Sequence, residues 1–533
     1  MRSIILTLFL FKVSFSSSTT DNDPTRTIES GVVIGTSTSI ASSPFGVQQF
    51  LGIPYAAPPV RFKPPQNPVP WSTPYNASTY RPACIQQFNY PEEHRTRIIE
   101  WLNTPGPPAG ESEDCLNLNV YTPISGEQAK AVLFWIHGGV FSFGSGSLPL
   151  YDGSSFAANH DVVVVTINYR LNIFGFPGST ALPETERNIA LLDQRLALDW
   201  VQRNIAAFGG DPKRVTIFGE SAGAGSVDAL ITSPPDPVHF RAAILHSGQK
   251  TFNPKSSDSA SSWTKIVTAT DCPQEEPAAL ECIRGKPASR LKDIIEKAAL
   301  PFDAILDDST LSKTPRRNRL ESAKNPSLIA RVPVMMGTNA NEGSMYVIGQ
   351  NDTQAFLNTA LRVLYPGGAP QELVQKVLDA YPLGEPGLKT ERDRMDRILT
   401  DVLAQCPISI VAEDSVGVNI STWRYYFDAS FPSSELFPGS GAYHSAEIEM
   451  VFGTFDRKGA TDAQLEVSKR MQKAWADFAK NPEKGPGWGM VPEVGVFGGG
   501  VRAGERNLGK AVFALAGEDL DRRCKLWESL YRK

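Results

Sequence analysis

Two kinds of hydrophobic pattern alternate along the chain. Residues 131–136 (AVLFWI) and 161–167 (DVVVVTI) are unbroken apolar runs, or nearly so, and each ends in polar, loop-like sequence. Short runs without polar alternation predict strands buried on both faces of a largely parallel sheet. Between Ile189 and Phe208 the pattern changes: Leu191, Leu192, Leu196, Leu198, Trp200, Val201 and Ile205 recur at helical spacing, and Gly209-Gly-Asp-Pro212 closes the segment. A strand over 215–218 follows at once, and similar runs predict strands over 241–245, 332–336 and 422–427. This alternation predicts an α/β architecture with a parallel core. Proline and glycine are scattered instead of gathered into a linker, so residues 19–533 are expected to form a single large domain.

One junction in this pattern carries chemistry. Val215-Thr-Ile-Phe-Gly-Glu-Ser-Ala-Gly-Ala-Gly225 sets Ser221 between Gly219 and Gly223, after an apolar β-branched run and before a helix-forming one. That is the form of a nucleophile elbow, in which a sharp strand-to-helix turn projects the hydroxyl and the glycines keep neighbouring backbone from clashing. A Gly-rich turn without chemistry would read the same way, so partners are needed to decide. A serine hydroxyl is a weak nucleophile at neutral pH and requires a base to take its proton and a third group to orient that base.

The chain has six histidines: His94, His137, His160, His239, His246 and His444. The order nucleophile, acid, histidine leaves His246 and His444 downstream of Ser221. His246 ends a predicted strand soon after the elbow, leaving little chain for an intervening acid, and so the order favours His444, in the small-residue loop Ser440-Gly-Ala-Tyr-His-Ser-Ala-Glu447. Among many intervening carboxylates, Glu342 stands on a strand-end loop, Gly337-Thr-Asn-Ala-Asn-Glu-Gly343. Upstream, His137-Gly-Gly-Val-Phe-Ser-Phe-Gly144 follows a buried strand, and the backbone N–H groups of Gly138, Gly139 and Ala222 are candidate donors to a developing oxyanion. No metal or organic cofactor is implied, because a base and an orienting acid suffice to activate serine.

Composition narrows the setting. Net charge is −5 over 533 residues with no long Lys/Arg run, which disfavours a nucleic-acid partner. Arg2, the apolar stretch from Ile4 to Phe11 and the Ser/Thr-rich residues to Thr20 predict a signal peptide over 1–18, although Lys12 makes it imperfect. That apolar core is far shorter than the ~20 residues of a spanning helix, so a secreted chain without a stable membrane anchor is expected. The C-terminal residues 526–533 show neither a hydrophobic tail nor a retrieval signal. Cys84, Cys115, Cys272, Cys282, Cys406 and Cys524 are even in number and lack CxxC spacing, as a disulfide-bonded extracellular chain would be. Asn76, Asn351 and Asn419 begin glycosylation sequons.

Several further blocks stand in fixed order: Phe50-Leu-Gly-Ile-Pro-Tyr-Ala-Ala-Pro-Pro-Val60, Glu113-Asp-Cys-Leu-Asn-Leu-Asn-Val120, His137-Gly-Gly-Val140, Asn168-Tyr-Arg170, Phe208-Gly-Gly-Asp-Pro212, the elbow, Asn341-Glu-Gly343 and Tyr443-His-Ser-Ala-Glu-Ile-Glu-Met-Val-Phe-Gly453. Together they resemble the type-B carboxylesterase and cholinesterase-like lipase family of α/β-hydrolases, over about residues 30 to 530. The resemblance implies a catalytic set of Ser221, Glu342 and His444, with Gly138, Gly139 and Ala222 as oxyanion hole, acting on a small-molecule or lipid ester. It also implies disulfides Cys84 to Cys115, Cys272 to Cys282 and Cys406 to Cys524. The first would close a loop containing Trp101, which is either a substrate contact or part of ordinary loop packing. Two departures stand out: Arg61-Phe62 follows Val60 without the usual glycine-containing spacer, and Asn172 stands where many relatives carry glycine. The same fold hosts non-catalytic neuroligin-like adhesion proteins, and acyl-transferring or lactone-forming and lactone-opening enzymes share the same catalytic residues. These are the competing readings.

Overall fold

A computed structural model describes residues 23–252, 259–361, 368–498 and 512–531. The expected signal peptide over 1–18 lies outside these residues. Strands β1 (Thr25–Ile28), β2 (Gly31–Ile34) and β5 (Tyr75–Asn76) form a small separate sheet. The main sheet is built from β3 (Thr36–Ser39), β4 (Gly46–Pro54), β6 (Asn117–Ile124), β7 (Lys130–Ile136), β8 (Val163–Ile167), β9 (Gly210–Glu220), β10 (Ala242–His246), β11 (Val334–Asn339), β12 (Thr422–Phe427), β13 (Glu493–Phe497) and β14 (Val512–Ala516). Its strand order is β14-β13-β12-β11-β10-β9-β7-β8-β6-β4-β3. From β8 through β13 neighbouring strands are parallel, while β3, β4, β6 and β14 add antiparallel edges.

The unbroken apolar runs are explained by cover on both faces. Along β7, Val132, Phe134 and Ile136 enter one core, while Ala131, Leu133 and Trp135 enter a second on the other side. β8 divides in the same way, with Val163, Val165 and Ile167 facing one core and Val164 the other. Alternate side chains of a strand point to opposite faces, so a strand covered by helices on both sides has no polar face to show.

The predicted elements shift at their ends for local reasons. The segment expected over 161–167 begins at Val163, because Asp161 caps the preceding helix Ser154–His160 in a left-handed conformation at φ 50°. The segment expected over 332–336 becomes β11, displaced toward Asn339 because Pro333 precedes it and lacks an N–H for the ladder. The helix runs over Ile189–Asn204 and tightens to a 3₁₀ turn over Ile205–Phe208, which Gly209 stops at φ 82°.

Three disulfides join Cys84 to Cys115, Cys272 to Cys282 and Cys406 to Cys524, the pairing that the resemblance implied. The first closes the loop that carries the helix Glu92–Leu102. Where the early spacer is missing, Phe62 is fully buried in a left-handed conformation at φ 61°, and Arg61 pairs with Glu113. No described helix is long and apolar enough to cross a membrane.

Candidate active site

Ser221 follows the last residue of β9 and precedes the helix Ala222–Thr232. Its backbone is held at φ 54° and ψ −118°, a conformation an L residue adopts only under constraint. The constraint is visible: the Ser221 N–H donates to the His246 carbonyl at 2.9 Å, and the Ser221 carbonyl accepts from the Gly225 N–H at 2.9 Å. The glycine after the serine is obligatory here. A Cβ on Gly223 would stand 2.0 Å from the Ile136 carbonyl oxygen. Ala222 opens the helix, where backbone N–H groups have no intrahelical partner and the helix dipole favours negative charge.

The loop after β7 passes beside this turn. Gly138 and Gly139 share a cavity wall with Ser221, and a Cβ on Gly138 would come within 3.1 Å of the Ser221 Cβ. Gly139 (φ 99°), Val140 (φ 48°) and Phe141 (φ 56°) are left-handed in succession. The loop is fastened from below. Burial lowers the pKa of His137 to about 4, so its ring is neutral and Nδ1 donates to the Gly138 carbonyl at 2.8 Å. Tyr169 stacks on that ring at 4.4 Å and its hydroxyl donates to the His137 carbonyl at 2.7 Å. Asn172, the departure noted above, is left-handed at φ 45°, and its N–H donates to the Phe141 carbonyl at 2.7 Å.

Glu342 and His444 approach from the C-terminal half. His444 Nδ1 donates to Glu342 Oε2 at 2.7 Å, and Glu342 Oε1 accepts from the Asn339 N–H at 2.7 Å. Two asparagines fasten the loops that carry them. Asn339 Nδ2 donates to the Tyr443 carbonyl at 2.8 Å, while the Asn341 N–H and Oδ1 bond the carbonyl and N–H of Ala442 at 2.9 and 3.1 Å. Acid and imidazole are therefore tied to each other through both their side chains and their loops.

Sequence reasoning missed Glu220. His444 Nε2 lies 3.1 Å from Glu220 Oε1, and the Ser445 hydroxyl donates to the same oxygen at 2.7 Å. Burial pushes the Glu220 carboxyl up to about 7; His444 and Ser445 pull against that shift, while Glu447 and Glu342 add to it. Burial works against a charged imidazole at His444, yet Glu220 and Glu342 outweigh it and raise its pKa well above the ordinary histidine value. The available signal was a carboxylate placed directly before Ser221 at the end of a buried strand.

The other downstream histidine is enclosed in the core. His246 is fully buried; Trp475 Nε1 donates to its Nε2 at 2.9 Å, and its Nδ1 faces Glu447 Oε1 at 3.2 Å. Both ring nitrogens are occupied by structural partners.

Above these groups is a cavity of about 650 Å³, lined by Gly138, Gly139, Glu220, Ser221 and His444 and by a largely aromatic wall that includes Phe88, Trp101, Phe143 and Tyr346. Trp101 contributes to this wall and also packs on Phe437 at 5.1 Å, with Arg97 over its ring at 5.7 Å. Apolar walls with a few convergent polar groups are what a small-molecule site requires.

Known proteins are similar to this chain. A sequence profile described as the Carboxylesterase family matches residues 22–492. The chain is 34% identical over 506 residues to a cholinesterase of Mus musculus, covering 89% of this chain and 82% of that protein. It is 34% identical over 452 residues to the para-nitrobenzyl esterase of Bacillus subtilis (strain 168), covering 82% of this chain and 86% of that one. Among solved structures, one described as PNB esterase superposes with a TM-score of 0.73 at 30% identity, covering 94% of this chain and 99% of that one. With the mixed sheet, its covering helices and the serine at the strand-to-helix turn, these matches show that the chain has the α/β-hydrolase fold and belongs to the carboxylesterase family, a family of carboxylic ester hydrolases.

Proposed function

We propose that the chain hydrolyses carboxylic esters of small molecules or lipids through Ser221, His444 and Glu342. The observation that carries this reading is the 2.7 Å bond from His444 Nδ1 to Glu342, on the wall of the cavity that also exposes the constrained Ser221. Nδ1 is committed to Glu342, and Nε2, 3.1 Å from Glu220 Oε1, is the nitrogen that takes the Ser221 proton as Oγ attacks the ester carbonyl, leaving Glu220 to do so. The imidazolium so formed is flanked by Glu342 and Glu220. The tetrahedral oxyanion is received by backbone N–H groups of Gly138, Gly139 and Ala222, each donor of this kind being worth roughly 2.7 to 4 kcal/mol of barrier. The protonated His444 then gives its proton to the leaving alcohol, and water repeats the sequence on the acyl-enzyme.

Labelling with a fluorophosphonate tests the nucleophile. Folded wild-type protein is expected to take up the probe at Ser221 and to turn over a p-nitrophenyl ester. Ser221→Ala should abolish labelling and leave only the residual rate that binding and oxyanion donors provide, on the order of 10³- to 10⁴-fold over water. Wild-type protein that folds but neither labels nor hydrolyses would exclude the reading.

We also read the chain as exported, with residues 1–18 as the signal. Three disulfides among the described residues suit an oxidising compartment, and Asn76, Asn351 and Asn419 are all exposed, as glycan acceptors must be.

A further inference from the structure

One helix grips the loop of Glu342 on both sides. In the helix Glu391–Thr400, Asp396 is 6% exposed, and its Oδ2 accepts from Asn341 Nδ2 at 2.6 Å. Its Oδ1 accepts from the Thr400 hydroxyl at 3.2 Å, and that hydroxyl oxygen accepts in turn from the Gly343 N–H at 3.1 Å. Asn341 and Gly343 are the two chain neighbours of Glu342. The helix presses on the loop's backbone, since a Cβ on Gly343 would stand 2.5 Å from the Asp396 carbonyl oxygen. Beyond Thr400 the helix widens to a π-helical turn over Asp401–Gln405. Positions five apart on an α-helix point about 140° away from each other. The widened turn lets Gln405 face the same segment as Thr400, where its Oε1 accepts from the Thr338 hydroxyl at 2.6 Å. Turns of this kind collect at functional sites.

The Asp396 carboxylate also decides which way the Asn341 amide faces. A carboxylate only accepts hydrogen bonds, so Asn341 turns its NH₂ toward Asp396 and leaves Oδ1 to accept from the Ala442 N–H at 3.1 Å. Ala442 stands two residues before His444. Gly441, left-handed at φ 65°, makes room for the amide, because a Cβ there would stand 2.3 Å from Asn341 Oδ1. One buried side chain thus bears on the loop of the acid directly and on the loop of the imidazole through a single amide. Neither Asp396 nor Thr400 lines the cavity. We propose that Asp396 is a positioning residue that aligns the Glu342 carboxylate with His444 by holding Asn341 and Thr400. This rests on the hydrolase reading given above.

The test measures kcat, KM and the pH profile of kcat/KM on p-nitrophenyl butyrate, with folding followed by circular dichroism. In D396A, kcat should fall by about tenfold to a hundredfold with KM nearly unchanged, since a misplacement of about 1 Å remote from the chemistry can cost about a hundredfold. Burial lowers the His444 pKa, while Glu220, Glu342 and Tyr346, the groups that face the ring, raise it. With Glu342 misaligned that pKa falls, and the acidic limb of D396A moves to lower pH. D396N loses the charge but keeps an acceptor for Asn341, and should give back most of the rate and the wild-type limb. A polarity swap tests the same contact without D396A. N341D removes the donor and sets two carboxylates against each other, so kcat should fall; N341D/D396N restores the hydrogen bond in the opposite direction and should recover it. Folded D396A with wild-type kcat or an unmoved limb, or D396N as slow as D396A, would overturn the inference. Should D396A fail to fold, N341D as fast as wild type, or no recovery in N341D/D396N, would overturn it equally. Wild-type protein that hydrolyses no ester and takes up no fluorophosphonate would instead overturn the hydrolase reading, and the role of Asp396 with it.

Discussion

Glu220 is the residue whose charge bears most directly on the proposed base. It lies 3.1 Å from His444 Nε2, is 3% exposed, and helps to raise the imidazole pKa well above its usual range. The base must be neutral to accept a proton, so kcat/KM is expected to rise with pH through the His444 titration. In Glu220→Gln the carboxylate that stabilises the imidazolium is gone. The pKa of His444 then falls, and the acidic limb of the profile moves to lower pH. At the plateau, kcat should drop by about tenfold to a hundredfold, because a hydrogen bond to a charged group is worth roughly 1.5–3 kcal/mol and the imidazolium forms during reaction. A limb that stays in place would show that Glu220 does not act on the base. In the sequence Glu220 is in plain view, but its partners are not. Ser445 stands 225 positions away, and no local pattern couples the two. The two downstream histidines differ in the same way. Chain order separates His444 from His246, whereas the reason His246 is occupied, the indole of Trp475, lies 229 positions further on.

At the scale of elements, strands covered on both faces are legible because burial removes every polar residue from them. The edges are not. β3 reads Thr-Ser-Thr-Ser and is mostly exposed, and β1 and β14 alternate weakly, so their pairing is decided by neighbours distant in sequence. The C-terminal helix Cys524–Tyr531 shows what such a peripheral element depends on. Only Trp527 of it is buried, donating to the Tyr381 hydroxyl at 2.8 Å, while Cys524 ties it to Cys406 across a separation of 118 residues. Closing so long a loop restricts the unfolded chain most, and removing a native disulfide typically costs ~2–5 kcal/mol. The double variant C406A/C524A should therefore unfold at a lower urea concentration with its active site still able to label before unfolding. An unchanged midpoint would show that Trp527, Tyr531 and their packing hold the helix without the disulfide.

For the molecule as a whole, the parallel centre of the sheet and the serine turn at its strand end follow from pattern, while its antiparallel margins and the asparagine clamps do not. The exported reading is a whole-molecule property and has a direct measurement. Protein recovered from the medium of a secretory host should begin near Thr19, release no titratable thiol until reduced, and carry glycan on at least one of Asn76, Asn351 and Asn419. Retention of residues 1–18 in the mature protein would rule out their role as an export signal.

The asparagine-fastened unit of Glu342 and His444 also has a consequence in time. The glycine loop after β7 and Ser221 belong to the N-terminal half, and His444 comes from a segment that follows β11 and β12 in the chain and is bonded to Asn339 and Asn341. During synthesis the ribosome thus makes Ser221 long before the proposed base, His444. A chain cut short before Tyr443 would lack the proposed base and is expected to leave esters intact. Hydrolysis through the proposed residues would begin only once the fold is complete.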